Sequence, residues 1–161
     1  MKRKIFFAIL VISILIMGSC SKTPLPASPT GFWTFGANSF QSVSCTADSA
    51  NASLTAANTV SGSSYSNIVV SFYDTLPSVS RKYLVANAGD PHLPGQVLIT
   101  VALMTSSGLN YYSSTGGNGR NDTVAVVVTN GKLSVSSSKV ELMNTVGQYD
   151  STSLSFSITQ Q

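Results

Sequence analysis

Apolar and polar residues alternate with a period of two along most of this 161-residue chain. A continuous apolar run at the start breaks that pattern. Within the alternating part, residues 32–35 predict a short strand closed by Gly36-Ala37-Asn38, and 39–47 a return strand. Residues 53–57 are Ala-rich and read as a weaker strand, with a short helical turn as the alternative. Strands follow over 64–73 and 81–87, then a Pro/Gly loop over 88–95. Residues 96–104 are apolar on both faces, which predicts a central strand covered on both sides. Tyr111 and Tyr112 lead into the glycine turn Gly116-Gly117-Asn118-Gly119. Asn130-Gly131, between strands 123–129 and 132–136, is a type I′ hairpin signal, and 139–144 and 153–159 complete the set. About eight or nine short strands without a convincing helix predict an all-β chain, an antiparallel β-sandwich in preference to a barrel.

The opening run has a different logic. Lys2, Arg3 and Lys4 precede residues 5–17, in which Ser13 alone is polar. A helix of that length rises about 20 Å, short of the roughly 30 Å hydrocarbon core, so the segment reads as a secretory signal peptide. It ends in Met17-Gly18-Ser19-Cys20, which resembles the bacterial lipobox, with Met17 in place of the usual Leu. The resemblance implies cleavage before Cys20, diacylation of that cysteine and attachment to membrane lipid. Two or three acyl chains make such anchoring effectively irreversible. The organisation is then a signal peptide over 1–19, a lipidated cysteine with a Pro/Ser tether over 20–30, and one domain over 31–161. The tether reaches about 30 Å as an extended polyproline-like segment.

Removing residues 1–19 changes the charge. The formal +3 becomes an even balance of Lys22, Arg81, Lys82, Arg120, Lys132 and Lys139 against Asp48, Asp74, Asp90, Asp122, Glu141 and Asp150. No basic stripe is left, which argues against nucleic acid as a partner. Ser and Thr fill the deficit, a composition suited to exported β proteins. Lipidation of Cys20 leaves Cys45 without an intrachain disulfide partner, and its alternation with Val43 and Ala47 predicts a buried core position.

Gly31-Phe32-Trp33-Thr34-Phe35, the turn Ser113-Ser114-Thr115-Gly116-Gly117-Asn118-Gly119, the hairpin Val128-Thr129-Asn130-Gly131-Lys132 and the closing strand Leu154-Ser155-Phe156-Ser157-Ile158-Thr159-Gln160 carry a further resemblance. Together they resemble small lipoproteins common in the Bacteroidota. That resemblance implies a lipid-anchored envelope protein and supplies no active-site residues. Ser21 is not acidic, which favours the outer membrane, and residues 21–25 lack an acidic cluster, which favours its periplasmic side over the cell surface.

Candidate chemistry is sparse. Asp90-Pro91-His92 holds the single histidine; as base and orienter, the pair would suit a periplasmic hydrolase, but a turn is the simpler reading. One histidine cannot build a multi-histidine zinc site. Asn118, Asn121 and Asp122 offer oxygens to one calcium ion, a weak candidate beside a plain glycine-rich connection. No cofactor is expected. Tyr111 and Tyr112 are candidate stacking residues for a glycan, because neighbours on a strand point to opposite faces and one of them faces out. Four Asp-Ser/Thr triplets resemble an O-glycosylation acceptor of the Bacteroidota, with Ser49, Thr75, Thr123 and Ser151 as the hydroxyls; turn preference is the alternative. The chain therefore reads as a non-enzymatic structural or binding lipoprotein whose partner is a glycan or an envelope protein.

Overall fold

The computed structural model describes residues 29–58, 65–115, 122–145 and 151–161. They are all-β, in one mixed sheet of eleven strands folded over on itself as a sandwich-like body. The strands are β1 (Gly31–Phe35), β2 (Asn38–Ser42), β3 (Ser44–Asp48), β4 (Ser53–Asn58), β5 (Ser66–Phe72), β6 (Arg81–Val85), β7 (Gln96–Thr105), β8 (Gly108–Ser114), β9 (Thr123–Thr129), β10 (Lys132–Asn144) and β11 (Ser151–Thr159). The hydrogen-bonded order is β2-β1-β11-β10-β9-β6-β7-β5-β4-β3, with β8 pairing both β7 and β10.

The two ends of that order are joined by the single residue Val43 between β2 and β3. A flat sheet cannot bring its outermost strands that close, so the sheet must curl and enclose its inner face. Trp33, Leu54, Ile68, Ile99, Val124, Leu142, Leu154 and Ile158 fill the interior. Contacts cross it between strands that are not neighbours. The Trp33 indole N–H on β1 donates to the buried Ser66 hydroxyl on β5 at 3.2 Å, and the Phe35 ring meets Tyr112 edge-on at 4.6 Å.

Several details differ from the expectation. One pair, β6 with β7, is parallel, because the 86–95 loop carries the chain back to run alongside itself. The expected strand over 39–47 divides at Val43, where it turns the corner between sheet edges. The segment around Tyr111 is a full strand, β8. The pieces over 132–136 and 139–144 are one strand bearing a bulge between Ser137 and Val140. Leu133 and Val135 point inward before the bulge, and Val140 and Leu142 after it. One extra residue resets the side-chain phase and keeps all four inside. On β7 only one face is fully covered: Val97, Ile99 and Val101 are buried, while Leu98, Thr100 and Met104 are half-exposed. The hairpin turn forms as expected, with φ of 52° at Asn130 and 74° at Gly131.

Both long strands change partners on one edge. β7 pairs β6 at Gln96 and Val97 and β8 from Thr100 onward, and β10 pairs β9 and then β8. The buried Ser114 sits where these partners separate. Its hydroxyl donates to the Ala86 carbonyl at 2.6 Å and accepts from the Ile99 N–H at 3.3 Å. Ser114→Ala leaves a buried donor and a buried acceptor unpaired, an expected loss of about 1–3 kcal/mol. Urea unfolding checks this, with the half-exposed Ser113→Ala expected to change little.

Candidate functional site

The sites expected from the sequence are dispersed. Cys20, Asn118 and Asn121 lie outside the described residues. Asp122 is half-buried just before β9, and its backbone carbonyl accepts from the Val85 N–H at 2.9 Å. Tyr111 and Tyr112 part company on β8. Tyr111 is 49% exposed, whereas Tyr112 turns inward and packs on Phe35, so they do not share a stacking surface. Tyr65, also exposed, lies on the same outer face as Tyr111 through the register Asn67–Ala102–Tyr111. The polar group between them is already engaged. The Asn67 amide donates to the Tyr65 hydroxyl at 3.0 Å and accepts from the Ala102 N–H at 3.2 Å.

His92 stacks flat on Tyr73, ring centroids 4.0 Å apart at 13°. Among the described residues no hydrogen bond joins it to Asp90 or to a serine, so the geometry does not assemble the dyad. The Tyr73 hydroxyl is buried without a hydrogen-bond partner among the described residues. Burial, and secondarily the charge of Asp90, push that phenol above its ordinary range. Beside it, Asp74 accepts from Arg81 at 3.3 Å and from the Gly95 N–H at 3.0 Å, and the Arg81 guanidinium lies 4.3 Å from the centre of the Tyr83 ring. This cluster ties the 73–81 segment to the 86–95 loop.

Ser49, Thr75, Thr123 and Ser151 are all exposed. Asp48 has a local task as well. Its carboxylate accepts from the Ala50 and Asn51 N–H groups and the Asn51 side-chain amide, which holds it below the usual carboxylate range. This is an Asx-type turn.

The most developed surface lies elsewhere, around Phe32. In β1 the alternation places Trp33 and Phe35 inside and Phe32 and Thr34 outside. Trp33 is fixed by its bond to Ser66 and by stacking on Phe40 at 5.6 Å, which forces the neighbouring Phe32 ring out to 52% exposure. Gly31 lets β1 approach β11 closely, since a Cβ there would stand 2.7 Å from the Ile158 Cγ2 and 3.0 Å from the Ser157 carbonyl oxygen. The register then sets out an outer row of Ala125, Ser136, Ser157, Phe32 and Gln41, with Ser155, Thr34 and Ser39 in the next. Three depressions of about 560, 380 and 270 Å³ converge on Phe32, and none is lined by an acidic or basic side chain. Phe32, rather than Tyr111 or Tyr112, is the exposed aromatic at the centre of these depressions. The usable signal was the adjacent pair Phe32-Trp33, of which a strand can bury only one.

Comparison with protein-family models, curated proteins and solved structures finds no match to this chain. Its chemistry therefore rests on its own residues.

Cys45 is buried, and desolvation pushes its thiol up to about 11. Cys45 is expected to resist iodoacetamide at pH 8 in the folded protein and to react on unfolding, as peptide mass mapping would show. The protonated thiol is the form the fold prefers. Its contribution is therefore intact below the unfolded thiol's value and is lost as pH rises from about 9 to about 11. Cys45→Ala should flatten that decline in urea-unfolding midpoints.

Proposed function

We propose that the chain is a lipid-anchored envelope protein whose β domain has a non-enzymatic binding or structural role. The carrying observation is the run from Lys2 to Cys20: a basic flank, an apolar stretch too short to span a bilayer, and Met17-Gly18-Ser19-Cys20 at its end. The first described strand, β1, begins at Gly31, after the Pro-rich stretch that the sequence assigns to the tether. Acylated Cys20 holds the domain at the outer membrane, on its periplasmic side. The engagement of His92 by Tyr73 favours a binding role over a hydrolytic one.

Cells expressing the protein and fed an alkyne fatty acid should label it, and Cys20→Ala should take up no label. Persistent labelling of that variant rejects the anchor. We propose in addition that exported protein carries sugar on Ser49, Thr75, Thr123 and Ser151, whose exposure leaves room for it. The intact mass of the mature protein should then exceed peptide plus lipid, and Asp48→Asn or Asp74→Asn should remove a discrete increment. A mass equal to peptide plus lipid rejects modification.

A further inference from the structure

Phe32 is a large apolar ring held in the open by the packing beneath it, with Phe40 and Val43 beside it in the largest of the three depressions and hydroxyl and amide side chains around them. Its neighbours Gln41, Ser155 and Ser157 have side-chain polar groups without a hydrogen-bond partner among the described residues; Thr34 and Ser39 share only one long contact of 3.3 Å. Such groups offer donors and acceptors in about equal number. The first charged residue along the Phe32 row is Lys82, four strand spacings or about 19 Å away, beyond the screening length at physiological salt. Lys139, at the bulge of β10, is held by Glu141 at 3.2 Å.

A ligand for this face must therefore be uncharged, rich in hydroxyls, and possessed of one apolar surface to lie on the ring. An anionic ligand would need a cation, and Lys139 beside this face is already engaged by Glu141. A pyranose ring has the required chemistry. Its axial C–H groups are weakly positive and suit the negative face of an aromatic ring, while its equatorial hydroxyls reach sideways to polar neighbours. The largest of the three depressions, about 560 Å³, lies within the roughly 300–1,000 Å³ range of small-molecule sites, and the other two continue from the same ring. We infer that this face binds a neutral oligosaccharide, one pyranose stacked on Phe32 and the adjoining units hydrogen-bonded by Gln41, Thr34, Ser155 and Ser157. The inference rests on the binding role proposed above and gives it a ligand class.

The test uses the full chain, extracted in a polyoxyethylene detergent that carries no sugar. It is run by native electrophoresis through gels containing β-glucan, xylan, galactomannan or polygalacturonate. Retardation by at least one of the three neutral polysaccharides is expected, and none by the acidic one. Phe32→Ala should weaken binding at least tenfold without moving the unfolding midpoint, because the ring is exposed. Phe32→Tyr should retain binding, and Tyr111→Ala should leave it unchanged. The inference is overturned by no retardation in any neutral gel, by Phe32→Ala binding like the parent, or by loss in Tyr111→Ala instead. It is equally overturned if the parent dimerises in light scattering through a contact that Phe32→Ala abolishes, which would assign the face to a second copy. Fatty-acid labelling at Cys20 reads the anchor separately, so the two readings fail independently.

Discussion

The hydroxyl of Ser114 occupies the place on which the rest of the sheet depends. A strand edge presents backbone donors and acceptors at fixed intervals, and each must find a partner once water is excluded. On β7 the partner changes from β6 to β8 between Val97 and Thr100, which leaves Ile99 facing the gap between them. On the exit from β6 the Ala86 carbonyl faces the same gap. A hydroxyl can donate to one and accept from the other, which neither an alkyl side chain nor a backbone group from a single strand could do there. The five strands β7, β8, β10, β9 and β6 then close a ring of pairings, and the remaining strands extend from its two long members.

Closure decides which surfaces the protein shows. Because Val43 alone joins the two ends of the strand order, there is one inner face and one continuous outer face, and each alternating strand divides its residues between them. The bulge on β10 serves the same end by returning Val140 and Leu142 to the interior. The outer face of β10, β11, β1 and β2 consequently collects serine, threonine and glutamine, with Lys132, Lys139 and Glu141 on β10, and the interior collects the aliphatics. Solubility in this region comes from hydroxyls and amides. With so few charges, an exposed aromatic such as Phe32 sits in an unusually neutral field.

Much of this was legible in the residues. Period-two alternation announced the all-β class, Asn130-Gly131 announced its turn, and the inward set Leu154, Phe156 and Ile158 was readable because nothing interrupts it. The bulge was not, since a phase change in the pattern looks the same as a break between two strands. β8 was obscured because Leu109 and Tyr111 stand out to solvent and Tyr112 turns in, which leaves an apolar stretch without clean alternation. Ser114 could not be singled out among so many serines, because its role arises only where three strands meet. The candidate site failed for a related reason. Alternation shows that Phe32 and Trp33 part company, but the choice between them is made by Ser66 on β5, remote in sequence.

The proposed tether bears on what the Phe32 face can do. Pro29 and Thr30 line the same depression as Phe32 and Ser157, so the chain arrives at the domain beside this face. In an anchored protein that places the face toward the membrane end of the molecule. Anionic lipid attracts surfaces that carry lysine or arginine, at about 1 kcal/mol for each. Near Phe32 the described lysine is Lys139, already paired with Glu141, so electrostatics would draw this face only weakly onto the headgroups. A tether of the length proposed would reach roughly 30 Å, more than the thickness of a polysaccharide strand. A neutral lining thus does two things at once: it selects an uncharged ligand, and it keeps the face available to one.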